Sequence, residues 1–328
     1  MAAPLRPVLK KDKVSVKFTI RGQGGSFPVA QWNTPSMTES IQVSPLLKKL
    51  TWHVSISLSL VGLAGDARAQ ATTTYEFSPV NQYGIELTAS YWNPIIDYVS
   101  KRSGVNLHLK IGRTSADTTA FVLAGEVHFV FSNHLFSPDR ERLGWVTFGR
   151  RDTPPIYSQI AVLADSPIQK LEDLAGQQVA FPGPEALVAY KFSYAELLKR
   201  NIPVKVDFGG NMDGAFAQLA SGKAKAVGAN SQLTAGWSQR ENKPLRILWQ
   251  SVPVPDLALM AAKTIPARVV ESVSHAFTQM DQDPEGKKIL VAASAVIKLP
   301  QPTRFVPSNG SEYAVYRDFY RTAPVGLR

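Results

Sequence analysis

Five short stretches of this 328-residue chain place polar or small side chains just past apolar runs that read as β-strands. They are Asn81-Gln82-Tyr83, Ser132-Asn133-His134, Gly183–Ala186, Gly209-Gly210-Asn211 and Asn230. Amides, hydroxyls, an imidazole and glycine-freed backbone suit reversible hydrogen bonding of a small solute. The third stretch is the most structured. Gln178–Phe181 reads as a buried strand, Pro182-Gly183-Pro184 as a turn, and Glu185 as the opening of a helix. Leu187, Val188, Phe192, Ala195 and Leu198 form that helix's apolar face, and Lys199-Arg200-Asn201 ends it. A strand, a tight turn and a helix start aim unpaired N–H groups at one point, which suits an anion or a carbonyl oxygen. An ordinary strand–helix junction carries the same pattern.

Covalent chemistry finds little support. The chain holds no H-E-x-x-H, no G-x-x-x-x-G-K-[ST], no G-x-S-x-G and no G-x-G-x-x-G after a strand. His108, His128, His134 and His275 lack metal spacing, and cysteine is absent altogether, which removes disulfides, thiol nucleophiles and thiolate metal sites. The reading is therefore not an enzyme, with no cofactor, no metal and no catalytic residue. An enzyme acting on a small heterocycle would have to draw on Glu185, His134 and Asp213, whose spacing supports no mechanism.

The elements that must position these stretches alternate strand and helix from Thr74 onward, the signature of an α/β fold with largely parallel pairing. Thr74–Pro79 is the first strand. Leu87–Ser103 is an amphipathic helix capped by Gly104, with Pro94 inside it as a source of a kink or an irregular first turn. Thr114-Ser115 can cap the next helix. Val127–Ser132, Trp145–Gly149, Tyr157–Ala164, Val204–Phe208, Ala224–Gly228, Leu245–Gln250 and Leu257–Ala262 read as further strands. Helices are expected near 213–221, 266–280, 283–293 and 313–321. Prolines at 154–155 and at 253 and 255 mark two crossings between α/β sets, so the expected lobes are residues 72–158 with 253–328, and residues 159–251. In open α/β sheets a ligand sits beyond the carboxyl ends of the strands, where the five stretches lie. Two such sets joined by two crossings make a cleft that closes by hinge motion.

The formal net charge of +10 does not point to nucleic acid. Residues 1–69 hold nine Lys/Arg against three Asp/Glu, or +6, which leaves +4 for residues 70–328 and no basic–aromatic patch. Lys48-Lys49, the apolar run Leu50–Leu63 and Ala67-Arg68-Ala69 follow the order of a secretory signal peptide. The apolar run is too short to span a bilayer. Residues 1–69 are thus expected to be an N-terminal extension plus signal peptide cleaved near Ala69, with Met1 and Met37 both open as the start. The expected product is periplasmic and carries no lipid anchor, since no cysteine follows the signal.

The chain also resembles a known family. WNPIIDYVSKRSGVNLHLK, LAGEVHFVFSNH, ADSPIQKLEDLAGQQVAFPGPEALVAY, GGNMDGAFAQLASGKAKAVGAN, MDQDPEGKKIL and RFVPSNGSEYAVYRDFYR resemble, in order, periplasmic substrate-binding proteins of ABC transporters, in the phosphate/phosphonate-binding branch. The resemblance covers roughly Tyr75–Tyr320. It implies a two-lobed type II periplasmic-binding-protein fold, a small-molecule ligand, a monomer, and a partner that is a transporter permease or, alternatively, a membrane kinase or chemoreceptor. By the same resemblance, ligand contacts come from Val80–Tyr83, Ser132–His134, the crossing near Tyr157 and the helix start after Phe181. The candidate ligand residues are Asn81, Gln82, Tyr83, Ser132, Asn133, His134, Tyr157, Gly183, Glu185, Ala186, Asn211 and Asn230.

One departure bears on ligand charge. Phosphonate binders carry Ser/Thr hydroxyls at that helix start, whereas this chain has Pro184-Glu185-Ala186-Leu187. Glu185 either competes with an anion for the positive helix end or points away as a dipole-stabilising residue. His134 either donates to an oxyanion or packs on Phe136. Asp213 starts a helix or touches ligand. Tyr83, Tyr91, Trp92 and Tyr157 are core residues or stacking partners. None of the five stretches holds Arg or Lys. The expectation is weak or no binding of phosphate and alkylphosphonates, and preference for a neutral or singly charged ligand.

Overall fold

A computed structural model describes residues 73–328, and the extension and signal segment expected at residues 1–69 lie outside the described residues. The chain opens with β1 (Thr74–Pro79), α1 (Ile85–Ser103), β2 (Asn106–Leu109), α2 (Asp117–Leu123), β3 (Phe129–Ser132), α3 (Pro138–Glu141) and β4 (Val146–Arg151). It crosses into β5 (Ser158–Leu163), β6 (Gln178–Phe181), a π-helical segment (Leu187–Phe192) continuing as α4 (Ser193–Lys199), β7 (Lys205–Phe208), α5 (Met212–Ala220), β8 (Ala226–Asn230), α6 (Ser231–Glu241) and β9 (Leu245–Gln250). It then returns through β10 (Ala258–Ala261), α7 (Ala267–Thr278), α8 (Pro284–Val296), β11 (Phe305–Pro307) and α9 (Ala314–Thr322).

Two sheets result, in the orders β11-β4-β10-β3-β1-β2 and β7-β6-β8-β5-β9. Each is the centre of one lobe, so the fold is the two-lobed α/β architecture expected. The pairing is more mixed than alternation implied. β1 runs parallel to β2 and β3, and β6 to β7 and β8. The strands that follow each crossing, β5 and β10, run antiparallel to both neighbours. A strand arriving from the other lobe enters its sheet at the cleft end, opposite to strands that finish there. Direction is therefore set by the crossing and not by local alternation.

α1 shows how sequence becomes layer. Tyr91, Trp92, Ile95, Ile96, Tyr98 and Val99 form its buried face, Pro94 is accommodated inside it, and Gly104 ends it at φ 68°, a left-handed cap. Trp92 lies 5.1 Å from both Phe77 and Phe131, so the helix locks onto the middle of the first sheet. Each such side chain contributes about 1.5–3 kcal/mol by leaving water. In the second lobe Ile160, Val162, Leu174, Val179, Phe181 and Leu197 make the equivalent core.

At the waist the two crossings touch. Ile156 and Val254 form an isolated antiparallel bridge, with N–H to O distances of 3.0 and 2.8 Å. Beside it Arg151, at the end of β4, is fully buried and donates through Nε to Asp256 Oδ2 at 2.7 Å.

Candidate ligand-binding cleft

The carboxyl ends of β1, β3, β6 and β8 converge between the lobes on a cavity of about 40 Å³, room for a few waters or one small ligand. Asn81, Gln82, Asn133, His134, Ala186 and Asn230 line it, together with Ser115 and apolar Val80, Ile156, Leu187, Val188, Met212, Leu233 and Leu257. Among the described residues, no charged side chain lines it. The lobes are closed over it. Ser115 N donates to Gly210 O at 2.7 Å, Met212 N to Gln82 O at 3.2 Å, and Gly84 N to Asp213 Oδ2 at 3.0 Å. At the closest approach, a Cβ on Gly183 would stand 2.7 Å from Ser115 Oγ.

Six of the expected residues thus meet in one place, and the other six do not line the cavity. Tyr83 is buried beneath the loop, under the Arg240 guanidinium at 5.6 Å, and burial raises its hydroxyl pKa. Ser132 uses Oγ to accept from His134 N at 3.0 Å, which shapes the loop. Tyr157 is half-buried and accepts from Ser231 N at 2.9 Å through its carbonyl, holding the crossing to α6. Gly183 serves the approach to Ser115. Asn211 caps α5 by accepting from Gly214 N at 2.9 Å. Asn230 combines both duties: Oδ1 caps α6 by accepting from Leu233 N at 2.9 Å, and the residue still lines the cavity. Tyr91 and Trp92 are core residues.

Glu185 neither points away nor stands free. It is partly buried and forms an ion pair with Arg140, which reaches across from α3 in the first lobe. Burial pushes its carboxyl pKa up, but Arg140, His134 and Lys191 pull harder, and the net shift is downward. The cations missing from the loops are supplied by neighbouring elements, because Arg140 and the buried Lys191 lie outside all five stretches. Nor does Glu185 open the helix. Ala186 is its cap, and Ala186 O accepts from both Tyr190 N at 2.9 Å and Lys191 N at 3.0 Å, so the first turn is wide. Such π-type turns favour functional sites. The amides of Leu187, Val188 and Ala189 precede the first ones that return to the helix, and these residues line the cavity.

His134 is buried rather than at the cleft edge, with Nδ1 3.1 Å from Thr119 Oγ1 and its carbonyl accepting from Arg140 Nη1 at 2.9 Å. Burial lowers its pKa to about 3, with Glu185 acting against that shift, so the imidazole is neutral. Phe136 stacks on Tyr313 at 4.6 Å. Asp213 is occupied by closure, since Oδ1 accepts from Arg240 Nη2 at 2.5 Å while Oδ2 holds Gly84 N.

Ser115 is the cavity residue that a helix-cap reading passes over. α2 in fact has no side-chain cap, and Asp117, its first residue, ties down the preceding loop by accepting from Arg113 N, Thr114 N and Thr114 Oγ1 at 2.6, 3.0 and 2.8 Å. That leaves Ser115 Oγ buried without a partner. It stands in the loop that joins β2 to α2, nearer the helix than the strand. Among the described residues there is no group of acidic and histidine side chains that could hold a metal, and no helix long and apolar enough to cross a membrane.

Comparison with known proteins bears on this arrangement. Residues 77–313 match the family described as ABC transporter, phosphonate, periplasmic substrate-binding protein. Curated protein sequences contain no match. Among solved structures, a binding-protein component of an ABC phosphonate transporter from Pseudomonas aeruginosa is similar at a TM-score of 0.65 and 14% identity, covering 76% of this chain and 87% of that one. PhnD1 from Prochlorococcus marinus, solved in complex with methylphosphonate, gives 0.64 and 15%, covering 76% and 97%. A Xanthomonas citri protein solved with chloride gives 0.59 and 16%, covering 77% and 97%. At these identities the likeness is one of fold.

Proposed function

Because this chain belongs to the phosphonate-type family of periplasmic substrate-binding proteins of ABC transporters, we propose that it closes its lobes over one small, singly charged oxyanion and delivers it to a membrane permease. The carrying observation is the wall of the closed cavity. It offers helix-start amides, Ser115 Oγ, three asparagines and a neutral imidazole, but no charged side chain among the described residues. Amide and hydroxyl dipoles stabilise one negative charge in such a place, while a second would be left under-bonded at a cost of several kcal/mol. Arg140 and Lys191 offset Glu185 from behind the wall, so its carboxylate does not compete for the helix end. The expected weakness toward phosphonates is therefore narrowed to their dianions. The protein acts as a monomer that carries one small-molecule ligand.

A thermal-shift screen of the purified protein against phosphate, phosphonates, phosphite, sulfonates, carboxylates and small heterocycles tests this. A ligand with micromolar Kd at millimolar concentration stabilises by about 4 kcal/mol, a clear shift. Stabilisation by heterocycles alone, with no oxyanion active, would refute the proposal.

A further inference from the structure

On one residue that lines the cleft, a polar atom has a fixed role that neither the fold nor its neighbours satisfy. Asn81 is 1% exposed and lines the cavity. Its Nδ2 donates to Gly112 O. A backbone carbonyl only accepts, so the amide cannot be flipped, and the atom left over is Oδ1. That oxygen is buried and receives no hydrogen bond. Ser115 Oγ is also buried and unpartnered, but a hydroxyl rotates to donate or accept as its neighbour requires. Oδ1 cannot change role. It accepts, or it stays unmet.

We infer that the ligand must bring a hydrogen-bond donor to Asn81 Oδ1. Resting on the oxyanion reading above, this selects an oxyanion that keeps a proton: an acid phosphonate, phosphite or phosphate bound as the O–H-bearing monoanion. A fully deprotonated oxyanion presents only lone pairs to Oδ1, acceptor against acceptor, and leaves that oxygen desolvated and unpaired. The discrimination is between protonation states of one shape, not between sizes. His134 is neutral, Glu185 is paired with Arg140, and the buried Lys191 beside them adds a cation that acts alike on two ligands of equal charge.

Methylphosphonate and methanesulfonate separate the two cases. They have nearly the same shape, and below the second ionisation of the phosphonate they have the same charge, but only the phosphonate monoanion carries an O–H. Isothermal titration of the full protein at such a pH should give methanesulfonate a Kd about 10- to 100-fold weaker. Raising the pH through that ionisation should weaken methylphosphonate and leave methanesulfonate unchanged. Asn81→Leu, which removes the acceptor, should bring the two ligands to within about twofold of each other. Equal affinities in the wild-type protein, or methylphosphonate affinity that does not fall with rising pH, would overturn the inference and leave the oxyanion reading standing. If neither ligand binds, the donor requirement falls, and the oxyanion reading falls with it only where the screen above finds no active oxyanion.

Discussion

Replacing Asp256 by alanine should destabilise this protein by about 3–5 kcal/mol, the usual cost of stranding a buried charge. Arg151 is among the largest fully buried side chains of the fold. Its close contact is Nε to Asp256 Oδ2 at 2.7 Å, and Asp256 in turn accepts from Leu257 N at 2.8 Å. The remaining polar neighbours are the Tyr91 hydroxyl at 3.5 Å and Gln232 Oε1 at 3.4 Å, both uncharged and long. The Phe131 ring, 5.2 Å away, adds a weak cation–π contact. Burial alone would lower the Arg151 pKa, but the Asp256 charge reverses that, and without it nothing nearby balances the guanidinium. For a protein of this size the loss corresponds to a fall in Tm of roughly 6–20 °C. Calorimetry or urea unfolding of Asp256→Ala measures it. The double variant Arg151→Met with Asp256→Leu should recover most of the stability, because it removes both charges and fills the space. A single variant within about 1 kcal/mol of wild type would refute the reasoning, since the guanidinium would then have found another counterweight.

Stability should also depend on His134. Its pKa is about 3 in the fold against 6.5 ordinarily, so the unfolded chain binds a proton that the native state refuses between those values. The contribution is fully present above pH 6.5 and is lost at about 1.4 kcal/mol per pH unit as pH falls toward 3. Urea unfolding at about pH 7 and about pH 5 should show this loss, and His134→Gln should reduce the slope; identical slopes in both proteins would count against it. Arg140→Gln removes the ion pair that joins the lobes, and should shift the population toward open forms by about 1–2 kcal/mol without unfolding either lobe. Small-angle scattering should report a larger radius of gyration, and an unchanged profile would show that the other interlobe bonds suffice.

Much of this molecule could be read from its residues, for identifiable reasons. β1, α1 with its Gly104 cap, and β6 followed by a proline–glycine turn carry strong local signals, and the structure contains all three. α6 did not stand out, because SQLTAGWSQRE has no continuous apolar stripe and is helical through its Asn230 cap and Trp237, which stacks on Phe216 at 4.7 Å. α3 and β11, of four and three residues, are too short to show a period. In the cleft, strand-end position located Asn81, Gln82, Asn133, His134 and Asn230 near one another. It could not foresee that Arg140 would cross the cleft to Glu185, because a pairing between lobes exists only once both are folded and shut. Ser115 reads in sequence only as half of a Thr-Ser helix cap, whereas α2 carries no side-chain cap and Ser115 Oγ is left without a partner.

The Ile156–Val254 bridge decides what kind of movement the waist allows. A lone connecting strand can swivel about its own axis, and a body hung on it would wobble in every direction. Two strands tied by reciprocal hydrogen bonds form a ribbon, which resists twisting because twist would have to break both bonds, yet flexes readily across its flat face. The two halves therefore share one soft coordinate, like the leaves of a book on its spine. In the closed form Ser115 meets Gly210 and Arg140 meets Glu185. A ribbon of this kind leaves few torsions to fix when the two lips meet.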